Sequence, residues 1–129
     1  TVRFERMAAA IAEAGKSPPD LVRMNAADFI EAELAKPQDA GTTRVLMHSI
    51  VWQYVPEDQQ ARVTAAMEAA GAKATSERPL AWVALEANRV MHVHEMVVRY
   101  WPGGADGEIV TRAHPHGAWI GWGGSDRSV

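Results

Sequence analysis

Arg44-Val45-Leu46-Met47-His48-Ser49-Ile50-Val51-Trp52 is the stretch whose reading decides the fold. Val45-Leu46-Met47 and Ile50-Val51-Trp52 do not alternate with polar residues, as a strand with one face in water would. A continuous apolar run of this length suits a strand covered on both faces, as in a parallel sheet. Pro56-Glu57-Asp58 follows and opens a helix, because proline suits the first turn and acids suit the positive end of the helix dipole. That helix is expected to run to about Ala70, with Val63, Met67 and Ala70 on one face and Gly71 ending it. Leu80-Ala81-Trp82-Val83-Ala84-Leu85 then reads as a second buried strand.

Upstream, Arg3 to Ala14 reads as a helix, with Phe4, Met7 and Ile11 on one face and Gly15 as a natural stop. Ser17-Pro18-Pro19 breaks the chain. Leu21 to Met24 is a short strand candidate, and Asp28 is placed to cap a helix reaching about Lys36. Pro37 to Thr43 is a loop rich in turn formers. Downstream, His94 to Trp101 and Glu108 to Ala113 are strand-like and flank the turn-forming Pro102 to Gly107, an antiparallel hairpin pattern. Gly117 to Trp122 is a last strand or an extension of the hairpin, and Gly123 onward is a loose tail. Alternating strands and helices imply an α/β fold with a parallel core sheet, helices on both its faces and an antiparallel hairpin at one edge.

Composition sets outer bounds. The 129 residues suffice for one domain with a real core, and 47% hydrophobic with 22% charged residues is ordinary for a folded protein. The net charge of -3 argues against a nucleic-acid binder, whose affinity comes from Lys and Arg neutralising phosphates. With no cysteine there is no disulfide framework, thiolate metal site or cysteine nucleophile. The longest uncharged stretch near the middle, Val45 to Pro56, is too short to cross a bilayer as a helix. No signal peptide is visible, so a cytoplasmic location is expected. The chain starts at Thr1 rather than Met, which raises the expectation that it is a fragment of a longer protein.

Four phrases carry a family resemblance: His48-Ser49-Ile50-Val51-Trp52-Gln53-Tyr54-Val55-Pro56, Pro79-Leu80-Ala81-Trp82-Val83-Ala84-Leu85-Glu86, Tyr100-Trp101-Pro102-Gly103-Gly104 and His114-Pro115-His116-Gly117-Ala118-Trp119. They resemble the C-terminal half of a bacterial family catalogued as domain of unknown function twenty-three thirty-two, over roughly Ala26 to Trp122. Full-length members of that family look like class I S-adenosylmethionine-dependent methyltransferases. The resemblance implies a partial Rossmann-like, three-layer sheet lacking its first two strands, so that residues 1–129 form a single, incomplete methyltransferase-like domain. Leu21 to Met24 then corresponds to the third strand, Val45 to Trp52 to the fourth, Leu80 to Glu86 to the fifth, and the hairpin to the sixth and seventh.

The same resemblance implies site residues. An Asp-Ala pair after the third strand usually meets the cofactor adenine, and the matching positions here are Asn25 and Ala26. The end of the fourth strand usually lines the reaction crevice, which points to His48, Ser49, Trp52 and Gln53. The physical basis is general, since ligands of open α/β sheets sit outside the carboxyl ends of the strands. Glu86 ends the next parallel strand and joins these crevice candidates. No glycine-rich turn follows a buried strand and opens a helix, and Gly117-x-x-x-Gly121 lacks that context. The expectation is that S-adenosylmethionine belongs to a full-length parent and that this chain alone holds no cofactor.

Other chemistry is weighed against blander readings. His114 and His116 stand at i and i+2, which on a strand would point both rings to one face, as metal sites can use. His92 and His94 form a second such pair. A site needs a third ligand and supporting contacts, so the plainer reading is that His116-Gly117 shapes a turn and the other histidines are solvated. His48 and Ser49 are not a base and nucleophile, because neighbouring strand residues point to opposite faces and no Gly-x-Ser-x-Gly elbow surrounds Ser49. Of the five tryptophans, Trp82 is read as core packing; Trp52 and Trp101 fit packing or stacking on a ligand; Trp119 and Trp122 fit cover for the sheet or a partner surface.

One consequence concerns assembly. Without its first two strands the sheet leaves Val45 to Trp52 with an unpaired edge, and such edges pair with something. The expectation is that Leu21 to Met24 moves in beside it, or that a second copy of the chain covers it as a homodimer. The leading functional reading is an uncharacterised methyltransferase-like portion, inactive alone, with an unknown small-molecule substrate and no nucleic-acid or membrane partner. The alternatives are a non-catalytic interaction module of the same fold and a histidine-based metal-dependent activity.

Overall fold

A computed structural model describes residues 2–122. Its elements run α1 (Val2–Lys16), α2 (Ala26–Ala35), β1 (Arg44–Ser49), a 3-10 turn (Trp52–Tyr54), α3 (Glu57–Gly71), β2 (Leu80–Asn88), β3 (Val93–Trp101), β4 (Gly104–Ala113) and β5 (Ile120–Trp122). The tail from Gly123 lies outside the described residues. The five strands form one open sheet in the order β1-β2-β3-β4-β5. Among the described residues only β1 and β2 are parallel, with Leu46 beside Trp82 and His48 beside Ala84. The other neighbours are antiparallel. The chain is therefore mixed α/β, a β-α-β unit continued by an antiparallel meander.

Local chemistry explains the helices that matter. Asn25 is the N-cap of α2, in extended conformation, and its Oδ1 accepts from the Asp28 backbone N–H at 2.9 Å. Asp28, expected as the cap, is instead the residue whose amide is capped. Pro56 takes the N-cap position of α3, with Glu57 and Asp58 in its first turn. At the other end, α3 stops at Gly71 as expected, though without a left-handed cap, since the following Ala72 is right-handed, and packing also calls for glycine there. A Cβ on Gly71 would lie 2.6 Å from the Trp101 ring.

The core lies on one face of the sheet. Ala27 from α2, Val63 and Met67 from α3, and Leu80, Trp82 and Trp101 from the strands are all buried together. Ile30, Leu34, Leu46, Trp52 and Ala84 pack around them. The Arg99 guanidinium lies over both the Trp82 and Trp101 rings, at 5.4 and 4.9 Å from their centroids.

Several expectations are corrected. The continuous apolar run is not covered on both sides: along β1 exposure alternates, and Val45 and Met47 are 52% and 61% exposed. The three-layer arrangement gives way to two layers, since α2 and α3 share one face and α1 has no buried residue. Leu21 to Met24 forms no strand and does not pair with β1, and Leu21 is 87% exposed. The strand ends at Ser49 rather than Trp52, and only Ile120–Trp122 of the last apolar segment is strand. Val45 to Ser49 has no strand on its outer side among the described residues. No helix there is long and apolar enough to cross a membrane.

Candidate functional site

The parallel pair directs two polar side chains to the same place. His48 near the end of β1 and Glu86 on β2 both point to the helix-covered side, the side of Leu46, Trp82 and Ala84. The His48 Nδ1 lies 2.7 Å from Glu86 Oε1. The Trp82 indole Nε1–H donates to His48 Nε2 at 2.9 Å. An indole N–H can only donate, so Nε2 must accept, and the neutral ring carries its proton on Nδ1 and donates to Glu86. The side chains of His48 and Glu86 are 10% and 22% exposed, which makes these bonds costly to break.

Glu86 does more than hold the imidazole. Its Oε1 also accepts from the backbone N–H groups of Val51 and Trp52, both at 3.2 Å. Those amides face it because Ile50 is left-handed, with φ of 52°. A β-branched residue rarely adopts that conformation, at a cost of roughly 1–2 kcal/mol. The bend turns the chain off β1, while the Ile50 amide still donates to Leu85 O at 2.9 Å. Glu86 thus clamps the turn that sends the chain from β1 into α3. Trp52 comes to rest on His48 with ring centroids 5.0 Å apart and planes 17° from parallel. Gln60 Nε2 secures the far side, donating to Trp52 O at 3.0 Å and Val55 O at 2.9 Å.

Beside this cluster is a cavity of about 240 Å³ lined by Ala26, Phe29, His48, Val51, Trp52 and Val55, among others. It lies where β1 ends and α2 begins, and its walls are almost wholly apolar. Of the crevice candidates, the structure brings His48, Trp52 and Glu86 together. Ser49 stands opposite Leu85 on the other face of the sheet, as the strand alternation requires. Gln53 is exposed, and its Oε1 accepts from Arg89 Nη2 at 2.7 Å.

The residues present do not by themselves fit S-adenosylmethionine. Asn25 has both side-chain polar atoms engaged with Asp28, through Oδ1 to the backbone and Nδ2 to the carboxylate. Ala26 does line the cavity. The connection from β1 to α3 contains no glycine before Gly71, so it is not the glycine-bearing turn of a nucleotide-binding β-α-β unit.

His114 and His116 take part in a turn. His114 Nδ1 accepts from the His116 backbone N–H at 3.0 Å, and the Gly117 amide donates to His114 O at 2.9 Å with Gly117 left-handed. His116-Gly117 thus shapes a turn, the plainer of the two readings. His92 lies in the left-handed bend before β3, while His94 stands in β3 opposite Ala87. No group of three or more potential metal ligands occurs among the described residues. Trp82 and Trp101 are core, as is most of Trp52.

Two features were not foreseen. The Trp82 indole holds His48, a contact hidden by 34 residues of separation. The Glu95 carboxylate accepts from Asn88 and Arg112. Burial works to raise its pKa, but those donors and the Arg112 charge prevail and hold it below the usual value. The strand alternation that puts Glu86 and Glu95 side by side on the covered face was the available signal.

Residues 1–122 match the model of a family described as an uncharacterized protein conserved in bacteria (DUF2332). No curated protein and no solved structure matches the chain.

Proposed function

The chain belongs to this family of uncharacterised bacterial proteins, and from that premise we propose that it is the C-terminal portion of a class I methyltransferase-like domain, inactive alone. The observation that supports the reading is the convergence of His48, Glu86 and Trp52 beside an apolar cavity at the carboxyl ends of the parallel strands β1 and β2. Ligands of open α/β sheets occupy that position. In this reading His48 and Trp52 form a wall of the crevice. Glu86 positions that wall through the Val51 and Trp52 amides. The cofactor loop and the ribose contact come from upstream strands that pair with the outer edge of β1. S-adenosylmethionine is then a ligand of the full-length protein in the cytoplasm, and no step of a reaction is assigned to the residues present.

The test is calorimetric titration of S-adenosylmethionine into this chain and into the whole product of its gene. Saturable micromolar binding by the whole product alone is expected. Absence of binding by the whole product would sink the reading, and binding by this chain would overturn its being inert alone.

A second reading, a non-catalytic interaction module, has its own support. Both ring nitrogens of His48 are engaged, so this imidazole has no free position for acid-base chemistry. A whole gene product that binds no S-adenosylmethionine favours this reading.

A further inference from the structure

One face of the sheet and one helix of the same chain each lack a partner among the described residues. The face opposite α2 and α3 carries Val45 and Met47 from β1, Val83 and Leu85 from β2, and Met96 and Val98 from β3, in register. None of the six is buried. The helix is α1, which has Phe4, Met7 and Ile11 at 77%, 62% and 67% exposure. Spacing of three and four places these three side chains in one stripe. Glu5, Arg6, Glu13 and Lys16 fall on the opposite side. An apolar stripe of this kind is what a helix offers to a sheet face.

We propose that the open face is a docking surface and that its occupant is α1 of the same chain. The dimensions agree. Fifteen residues of helix extend about 22 Å. β2, with nine residues, runs about 30 Å. The tether is residues 17–25, which when extended reaches roughly 30 Å. It starts at Asn25, next to the cavity formed by Ala26, Val51 and Trp52 at the carboxyl end of β1. A route from there over the strand ends would bring α1 to the far face without crossing the outer edge of β1. Tethering on a short segment gives α1 an effective concentration in the millimolar range, which favours its own sheet over that of a second copy. The docked helix supplies the second covering layer that the apolar run from Val45 to Trp52 calls for.

A photoreactive benzoylphenylalanine at Ile11 of the full chain tests this, with the same group at Glu13 as the control. Both positions are exposed on α1, so neither replacement disturbs the core. On irradiation of dilute protein, the Ile11 probe is expected to give products of single-chain mobility. Peptide mapping should place the adducts within 45–49, 81–87 or 94–100, at least fivefold more than from Glu13. Equal yields from both positions, or adducts confined to α2 and α3, overturn the proposal. So do adducts found only in covalent dimers, which would assign the face to a second copy. As an independent readout, Ile11→Asp is expected to raise binding of an apolar fluorescent dye at least twofold, and an unchanged signal counts against the docked state.

Discussion

The two faces of β1 have different compositions and opposite fates: Arg44, Leu46 and His48 lie on the covered face, while the more apolar set of Val45, Met47 and Ser49 lies on the open one. Leu46 and His48 point toward α2 and α3, where Leu46 packs on the core and His48 is held by Trp82 and Glu86. Val45 and Met47, one residue away on the same strand, stand mostly in solvent. The contrast teaches that apolar character records which surfaces are made to be covered, while burial depends on what lies against them. A strand cannot tell a present neighbour from an absent one. The run from Val45 to Trp52 therefore reads as doubly covered although the described residues cover it once.

The sharpest way to break this comparison is to truncate one methionine on each side. Met67 is fully buried between α3 and the sheet. Met67→Ala removes its contacts and leaves a void, an expected loss of about 2–5 kcal/mol. Met47→Ala on the open face is expected to cost about 1 kcal/mol with α1 docked over it, and a change below about 0.5 kcal/mol would mean that the face stands in water and would count against that docking. Urea unfolding of both variants measures the difference. A loss at Met47 approaching that at Met67 would mean that something, α1 first of all, covers the face in solution.

How much was legible in the sequence follows the same line. The β1-α3-β2 unit was readable because its signals are local: an apolar run, Pro56 with two acids, and a second apolar run. The hairpin was readable in outline, but Pro102 to Gly107 is not all turn: β4 starts at Gly104, so only Pro102 and Gly103 join the strands. Leu21 to Met24 matches a strand template through Leu21, Val22 and Met24, but no neighbouring strand among the described residues hydrogen-bonds it. At the site, His48, Trp52 and Glu86 were picked out by position at strand ends. Their mutual contacts were not, because Trp82 to His48 and Glu86 to Val51 depend on strand register and on the left-handed turn at Ile50. Neither leaves a mark in residue order. Asn25 was read through its place after a supposed strand, whereas its proximity to Asp28 already spelled a cap.

The second prediction concerns the end of the covered face. Glu86→Ala leaves the Val51 and Trp52 amides and the His48 Nδ1–H without their acceptor. Unmet buried donors cost about 1–3 kcal/mol each. Water reaches this partly exposed carboxylate, so the total is expected near the lower end of that range. The tryptophan emission should also shift as Trp52 leaves the imidazole. Glu86→Gln keeps a carbonyl oxygen for the two amides and is expected to recover most of the stability. Equal losses in the two variants would show that the negative charge, and not the acceptor geometry, holds the turn.

The smallest expected effect lies one strand further along the same face. Glu95 Oε1 accepts from Arg112 Nε at 2.9 Å, and its Oε2 accepts from Asn88 Nδ2 at 3.0 Å. Burial raises the Glu95 pKa, but the two donors and the Arg112 charge outweigh it, and the carboxyl titrates below its ordinary value of 4.5. A group with a lowered folded pKa binds its proton less readily when folded than when unfolded. Its contribution to stability is therefore complete above the ordinary value and is lost as pH falls through the lowered one. Glu95→Gln is expected to cost roughly 1 kcal/mol near neutral pH, because solvent still reaches Arg112 and screens the pair. The gap between the two proteins should close as the solution is acidified below about pH 4.5. Unfolding free energies measured from pH 7 to pH 3 test this. A gap that persists unchanged into acid would mean that the substitution acts through packing. The covered face would then owe its order at this end to shape, as it does around Met67, and not to charge.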